Sequence, residues 1–473
     1  MTRRELLRSA GNGFGTLGLA SLMAEQIEAA GALEARSKHF PAKAKHVIFL
    51  FLNGGPSHVD TFDPKPSLAK YNGQLMPGGD KKGEPKKLMA SPFTFKKYGQ
   101  SGIEVSDLFP HVGSCIDDVC VIRSMYTDLP SHPQAILQMS SGHIIPGFPS
   151  MGSWLTYGLG TENQNLPGFI AMCPGMPNVG PQLWSSGFLP AAHQGTYVPC
   201  DETDADRMIQ YLTSKQVKPS EQRRELEFAN ALNRLDLERR GPDSQLEGRI
   251  QSMEMAYRMQ SEALDAFDVT KESPATLSAY GVPTKIAATN SKMRSATRDG
   301  DFARGCLIAR RLVERGVRAV QLYFGEDIPW DSHHDILVHR KLSLQADQPI
   351  AALIKDLKKR GLLQETLIIV SGEFGRTPWV ESNGRINVQN GRNHNSEGFC
   401  ALLAGGGVKG GLAYGATEEF GYKAVEKRVH VHDLHATALH LMGLDHTRLT
   451  YRHSGRDFRL TDVAGNVVKD ILT

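Results

Sequence analysis

Residues 46–55 read HVIFLFLNGG, an apolar run from Val47 to Leu52 that stops abruptly at Asn53-Gly54-Gly55. A run this short and continuous, closed by turn formers, is the pattern of a strand covered on both faces, as in a parallel sheet flanked by helices. Four other runs share it: VCVIRSM (119–125), RAVQLYFG (318–325), TLIIVSGEFG (366–375) and FCALLAGGG (399–407). Helical periodicity intervenes at 302–315, 345–360 and 432–443. The alternation predicts an α/β fold: a doubly wound, mostly parallel sheet flanked by helices, with right-handed crossovers. Ligands in such sheets gather beyond the C-terminal ends of the strands. The loops that follow these runs are therefore where function is expected.

The 473 residues, 40% of them hydrophobic, suffice for one large α/β domain, expected over 40–473. The 54 basic and 51 acidic residues are well mixed and leave a net charge of +3. No basic block stands out, which argues against nucleic acid as a partner. The cysteines Cys115, Cys120, Cys173, Cys200, Cys306 and Cys400 include no C-x-x-C pair, so neither a zinc ribbon nor a redox pair is expected, and no disulfide is assigned. No later segment is apolar for long enough to anchor stably in a membrane. The N-terminus, TRRELLRSAGNGFGTLGLASLM, places Arg3–Arg4 ahead of a short glycine-rich apolar stretch, with AGA at 30–32. It resembles a twin-arginine export signal over 1–32, which implies a periplasmic or extracellular location. Residues 220–268 differ in character. They are charged and helical, broken at Gly241-Pro242, with SQLE at 244–247 matching a capping box. Leu246, Ile250, Met253, Tyr257, Leu264 and Phe267 recur at helical spacing, so an inserted helical pair, a cap or a dimer arm, is expected to dock its apolar stripe on the sheet domain.

The loops carry the chemistry. Asn53, Ser57, His58, Asp60 and Asp63 follow the first run; Ser131, His132, Ser140, Ser141 and His143 follow the second. After the third comes IPWDSHHDI (328–336), with Asp331, His333, His334 and Asp335. Glu373 and Arg376 follow the fourth run, and Arg392 and His394 precede the fifth. Imidazole with carboxylate suits zinc, iron or manganese, whereas all-oxygen sets suit calcium or magnesium. Side chains alternate along an extended segment, so 331 and 333 point one way and His334 the other. Each fragment has an ordinary alternative. A histidine in a glycine–asparagine loop is often a surface hydrogen-bonder, and Asp60 and Asp63 suit Asx turns ahead of Pro64. What favours a site is the recurrence of such groups after successive strands.

FLNGGPSHVDTFDPKP, WDSH, SGEFGRTP, GRNHN and LLAGGGVKGGLAYGATEEFGY together resemble a bacterial family of exported proteins within the alkaline phosphatase/sulfatase superfamily. The resemblance covers nearly the whole chain after the N-terminal segment and implies the fold already argued. It also implies a metal site that draws on Asn53, Asp331, His333, Glu373 and His394, with a nucleophile near Ser131–His132. Asp433, in VHVHDLHATALHLMG, is implied to be structural. Three departures stand out. Asn53 is neutral where the superfamily carries an aspartate, Phe374 replaces a histidine, and no C/S-x-P-x-R motif for formylglycine occurs. The expectation is a single divalent cation, zinc first and calcium, manganese or iron after it. Asp331, His333 and His394 would hold it, with Glu373, Asn53 and His58 as further donors. Ser131 or a water is the nucleophile, His132 the general base, and Arg376 or Arg392 the anion-orienting group. The expected activity is hydrolysis of a phosphate or sulfate ester of a small molecule or glycan. The alternative is a non-catalytic exported protein that binds an anionic glycan or protein partner. A metal site, acid/base machinery and a solvated corner all remain open for the Asp331 cluster at the level of sequence.

Overall fold

The computed structural model describes residues 34–77, 86–202, 204–209, 219–241, 243–283, 300–381 and 390–473. The segment expected as an export signal lies outside them. The strands used below are β1 His46–Phe51, β2 Val119–Tyr126, β3 Phe169–Cys173, β4 Thr196–Pro199, β5 Ala319–Tyr323, β6 Thr366–Ser371, β7 Gly375–Val380, β8 Arg392–Asn395, β9 Phe399–Ala404, β10 Leu412–Tyr414 and β11 Val429–His430. The helices are α1 His132–Ser141, α2 Met151–Leu159, α3 Pro219–Arg240, α4 Ser244–Phe267, α5 Asp301–Glu314, α6 Val338–Lys359 and α7 Val431–Leu441.

Among the described residues nine strands form one sheet in the order β10-β2-β9-β6-β1-β5-β3-β4, with β11 also beside β2. β1 lies at its centre, parallel to both β5 and β6. Only β9 runs against the rest, being antiparallel to β6 and to β2. β7 and β8 form a separate antiparallel hairpin beyond the end of β6.

The continuous apolar run of β1 has a direct cause. Ile48, Leu50 and Leu52 pack into one core with residues of α5 and α6, while Val47, Phe49 and Phe51 pack into the other with α1, α2 and α7. Alternate side chains enter opposite cores, so a strand covered on both sides has no solvent face to mark with polar residues. All five runs expected as strands contribute strands to this sheet. β3 and β4 went unread because FIAMC and TYVP are short and sit among Pro, Gly and Trp-rich loops. TLIIVSGEFG is not one strand: Gly372 and Glu373 break it between β6 and β7.

Residues 219–267 form the expected pair of helices, but two details differ. The cap of α4 is Asp243, whose carboxylate accepts from Leu246 N at 3.2 Å, one residue ahead of the expected Ser244. The buried face also lies further along: Met259, Ala263, Ala266 and Phe267 enter the sheet's core, whereas Met253 is 42% exposed. All six cysteines are free. Among the described residues no helix is long and apolar enough to cross a membrane.

Candidate metal centre

Beyond the C-terminal edge of the parallel strands, four loops converge. β2 leads into α1, whose N-cap is Ser131 in extended backbone; its hydroxyl makes no capping bond. His132 follows in the first turn, buried, and its Nδ1 bonds Glu373 Oε1 at 2.5 Å. Glu373, fully buried, comes from the turn after β6 and accepts Gly54 N–H at 3.0 and 3.1 Å. Asp331 and His333 come from the loop after β5, and His394 from β8. Gly54 makes the approach possible. Its φ is +112°, and a Cβ there would stand 2.6 Å from Trp330 N and 2.7 Å from Asp331 N. Gly391 does the same for His333, whose carbonyl oxygen lies 1.7 Å from where a Cβ would sit.

Three imidazole Nε2 atoms point at one carboxylate oxygen. Asp331 Oδ1 is 3.2 Å from His132, 2.9 Å from His333 and 3.2 Å from His394. His333 Nε2 and His394 Nε2 are 2.8 Å apart. The four donor atoms lie within 4.8 Å of one another. Each imidazole is held from behind through Nδ1: His132 by Glu373, His333 by the Glu381 carboxylate, and His394 by Pro130 O at 2.9 Å. An acceptor at Nδ1 puts the proton there and turns the Nε2 lone pair toward the centre, the arrangement by which outer groups prepare metal ligands. Two such lone pairs at 2.8 Å repel unless a proton or cation lies between them.

The charge balance agrees. Asp331, Glu373 and Glu381 against Arg376 leave a formal charge of −2 with neutral imidazoles, which a divalent cation cancels. Burial acts to lower the His132 pKa, yet hydrogen bonds to Asp331 and Glu373 outweigh it and lift it to about 9. The Asp331 hydrogen bond raises His333 against the pull of burial. Burial raises Asp331 on its own account, but bonds from the three histidines and the Arg376 charge hold it well below the usual carboxylate range. Burial, with the Arg376 and His132 charges, lowers His394. Three imidazoles and a carboxylate fit zinc, iron or manganese better than calcium.

Several expected residues stand elsewhere. Asn53 is not turned to the cluster: Nδ2 donates to Gly325 O at 3.0 Å and to Asp327 O, and Oδ1 accepts from Phe324 N at 3.2 Å. It ties β1 to the chain leaving β5. His58 is buried against Gly421 O, at 2.6 Å from Nε2, outside the cluster. Glu373 supports His132 instead of joining the donor set. Arg376 is fully buried, donating to Gly55 O at 2.8 Å, to Gly54 O, and to Asp331 Oδ1 at 2.6 Å. It positions Asp331 and has little left for an anion. Arg392 is locked to Asp60 at 2.7 and 3.1 Å, both fully buried. Neither arginine is placed to orient a substrate. Phe374 packs on the His132 and His394 rings, each at 4.7 Å between centroids. His334 is exposed, but it stands in a bend beside His333, so strand alternation is not what turns it away. Asp433 closes a capping box at the start of α7. Glu381 was not found from sequence, since nothing local links it to a histidine 48 residues away.

A family model described as "Protein of unknown function (DUF1501)" matches residues 44–472. The chain belongs to the DUF1501 family. No curated protein matches it. Among solved structures, this DUF1501 chain is similar to the PsFucS1 sulfatase from Pseudoalteromonas sp., at 12% identity and TM-score 0.36, covering 91% of this chain and 71% of that one. The lipoteichoic acid synthase LtaP from Listeria monocytogenes aligns at 10% identity and TM-score 0.34, over 92% and 80%. The alkaline phosphatase from the Antarctic bacterium TAB5 aligns at 11% and 0.27, over 77% and 92%. At such identities and TM-scores, the chemistry of the DUF1501 site has to be read from its own side chains.

Proposed function

We propose that this DUF1501 protein is an exported, metal-dependent hydrolase of phosphate or sulfate esters, with one divalent cation held by His132, Asp331, His333 and His394. The observation that carries this reading is the convergence of their donor atoms within 4.8 Å, each imidazole braced through its far nitrogen. When bound, the cation supplies Lewis acidity toward an ester oxygen and lowers the pKa of a water. The chain supplies the rest. Ser131, beside His132, is the side-chain nucleophile, its hydroxyl not spent on capping. The positive end of α1 favours an anionic group approaching there. The Asp331, His333 and His394 side chains, 21%, 24% and 18% exposed, leave that approach open to a small-molecule or glycan ester. Asn53 and Phe374 offer nothing to a second cation, so a displacement clamped between two metals is not what these residues support. His132 is read here as a ligand, and no longer as the general base.

One observation favours a second reading. Four protein donors close a tetrahedral zinc, which is the habit of structural sites, while catalytic zinc keeps a position free. On that reading the protein is non-catalytic and binds an anionic glycan or protein partner. Metal analysis of protein purified without chelator, together with turnover of aryl phosphate and aryl sulfate, separates the two. We expect about one metal per chain, lost in His132→Ala, His333→Ala and His394→Ala and kept in His334→Ala. Ser131→Ala should keep metal and lose turnover. Metal without any turnover in the parent favours the second reading, and no metal in the parent removes both.

Export rests on Arg3–Arg4. Replacing both with lysine should leave folded protein in the cytoplasm, measured by cell fractionation. Unchanged export would show that the pair is not an address.

A further inference from the structure

The outer face of α3 carries an apolar stripe. Phe228, Leu232 and Leu235 are 67%, 51% and 53% exposed, and their spacing of four and three sets them on one side of the helix. The opposite side is already in use: Leu226 and Asn230 are buried, and Asn230 donates to Glu254 of α4 at 2.6 Å. A single exposed leucine is ordinary on a protein surface, but three large apolar side chains in one row mark an interaction face.

The charges at the ends of the row say what covers it. Glu225 and Arg239 continue the same helical series and are both exposed. Among the described residues neither has an ion pair. They stand at equal distances along the helix on either side of Leu232. The face therefore runs from Glu221, Arg224 and Glu225, net negative, through Phe228, Leu232 and Leu235 to Arg239, positive. A second copy laid antiparallel, with a two-fold axis at Leu232, sets leucine on leucine at the centre and Phe228 toward Leu235. It also sets Glu225 against Arg239 at both ends, about 10 Å from the axis. Such self-complementarity is what a two-fold interface demands. A parallel copy would oppose glutamate to glutamate, and an unrelated partner has no need of mirrored charges.

We propose that this face is a homodimer contact, two copies of α3 packed antiparallel about Leu232. Sedimentation equilibrium of the full chain over a concentration series tests it. The parent should dimerise. Leu232→Lys, which brings two lysines together at the axis, should leave a monomer with an unchanged circular dichroism spectrum and a melting temperature that no longer depends on protein concentration. Glu225→Arg and Arg239→Glu should each weaken the dimer roughly tenfold or more, by opposing like charges at both ends. The double variant E225R/R239E should regain most of the loss, because it restores both pairs. A monomeric parent at every concentration, a dimer indifferent to Leu232→Lys, or a double variant no better than the singles would each overturn the proposal.

Discussion

Glu381 acts on the site through another side chain. Its carboxylate accepts a hydrogen bond from His333 Nδ1–H and so fixes which nitrogen faces Asp331. Outer partners of this kind typically account for 10–100-fold in metal affinity. Glu381→Ala should therefore weaken binding by about that factor without abolishing it, as measured by competition with a chromophoric chelator. Unchanged affinity would mean that the 331–333 loop alone orients His333. Residue type and the family resemblance pointed to Asp331, His333 and His394, which the fold brings together with His132, while His334 stands exposed outside that group. Sequence reasoning read Asn53 by analogy of position and so missed that both ends of its amide are committed to the backbone. His132 was legible as a functional residue, but its place in the donor set depends on Glu373, 241 residues away, turning the ring.

At the scale of elements, the helical pair shows how far periodicity reaches. The stripe read from Leu246 to Phe267 is correct in kind, but its burial is decided by what lies opposite. Among the described side chains, α4 meets the sheet's core from Met255 onward, chiefly through Met259, Ala263, Ala266 and Phe267. Phe267→Ala should thus destabilise by roughly 3–5 kcal/mol, the usual cost of deleting a buried aromatic, while Met253→Ala should cost little. Urea unfolding of both variants beside the parent gives the comparison. Equal midpoints would mean that the pair is docked loosely and contributes little to the core. The β7–β8 hairpin was likewise invisible as a unit, because its pairing joins segments read as separate motifs. Yet it carries Arg376, Glu381 at its edge, and His394, with His394 directly opposite Arg376.

Across the whole molecule, burial of neutral histidines sets the response to acid. His193, His339 and His435 are all held down to about 3 by burial. In the unfolded chain they titrate near 6.5. Between about pH 3 and pH 6.5 the unfolded state thus binds more protons. The contribution of these three rings is complete above 6.5 and is lost as pH falls through that window, by about 1.4 kcal/mol per histidine per pH unit. Unfolding in urea from pH 7.5 to 5, performed on His333→Ala protein to remove metal release from the signal, should show the midpoint dropping below pH 6.5. A flat profile would mean that these rings are already hydrated in the native state.

The α/β class and the five strands that led to it came from the sequence, because a strand between two cores is apolar at most positions on both faces and that pattern is local. The site's general location followed from it, since loops after parallel strands share one edge. Which residues meet there was decided by tertiary structure. Donor geometry is fixed by contacts between segments tens to hundreds of residues apart, such as Gly54 under Asp331 and Glu373 behind His132. No spacing within one segment encodes a distance to another.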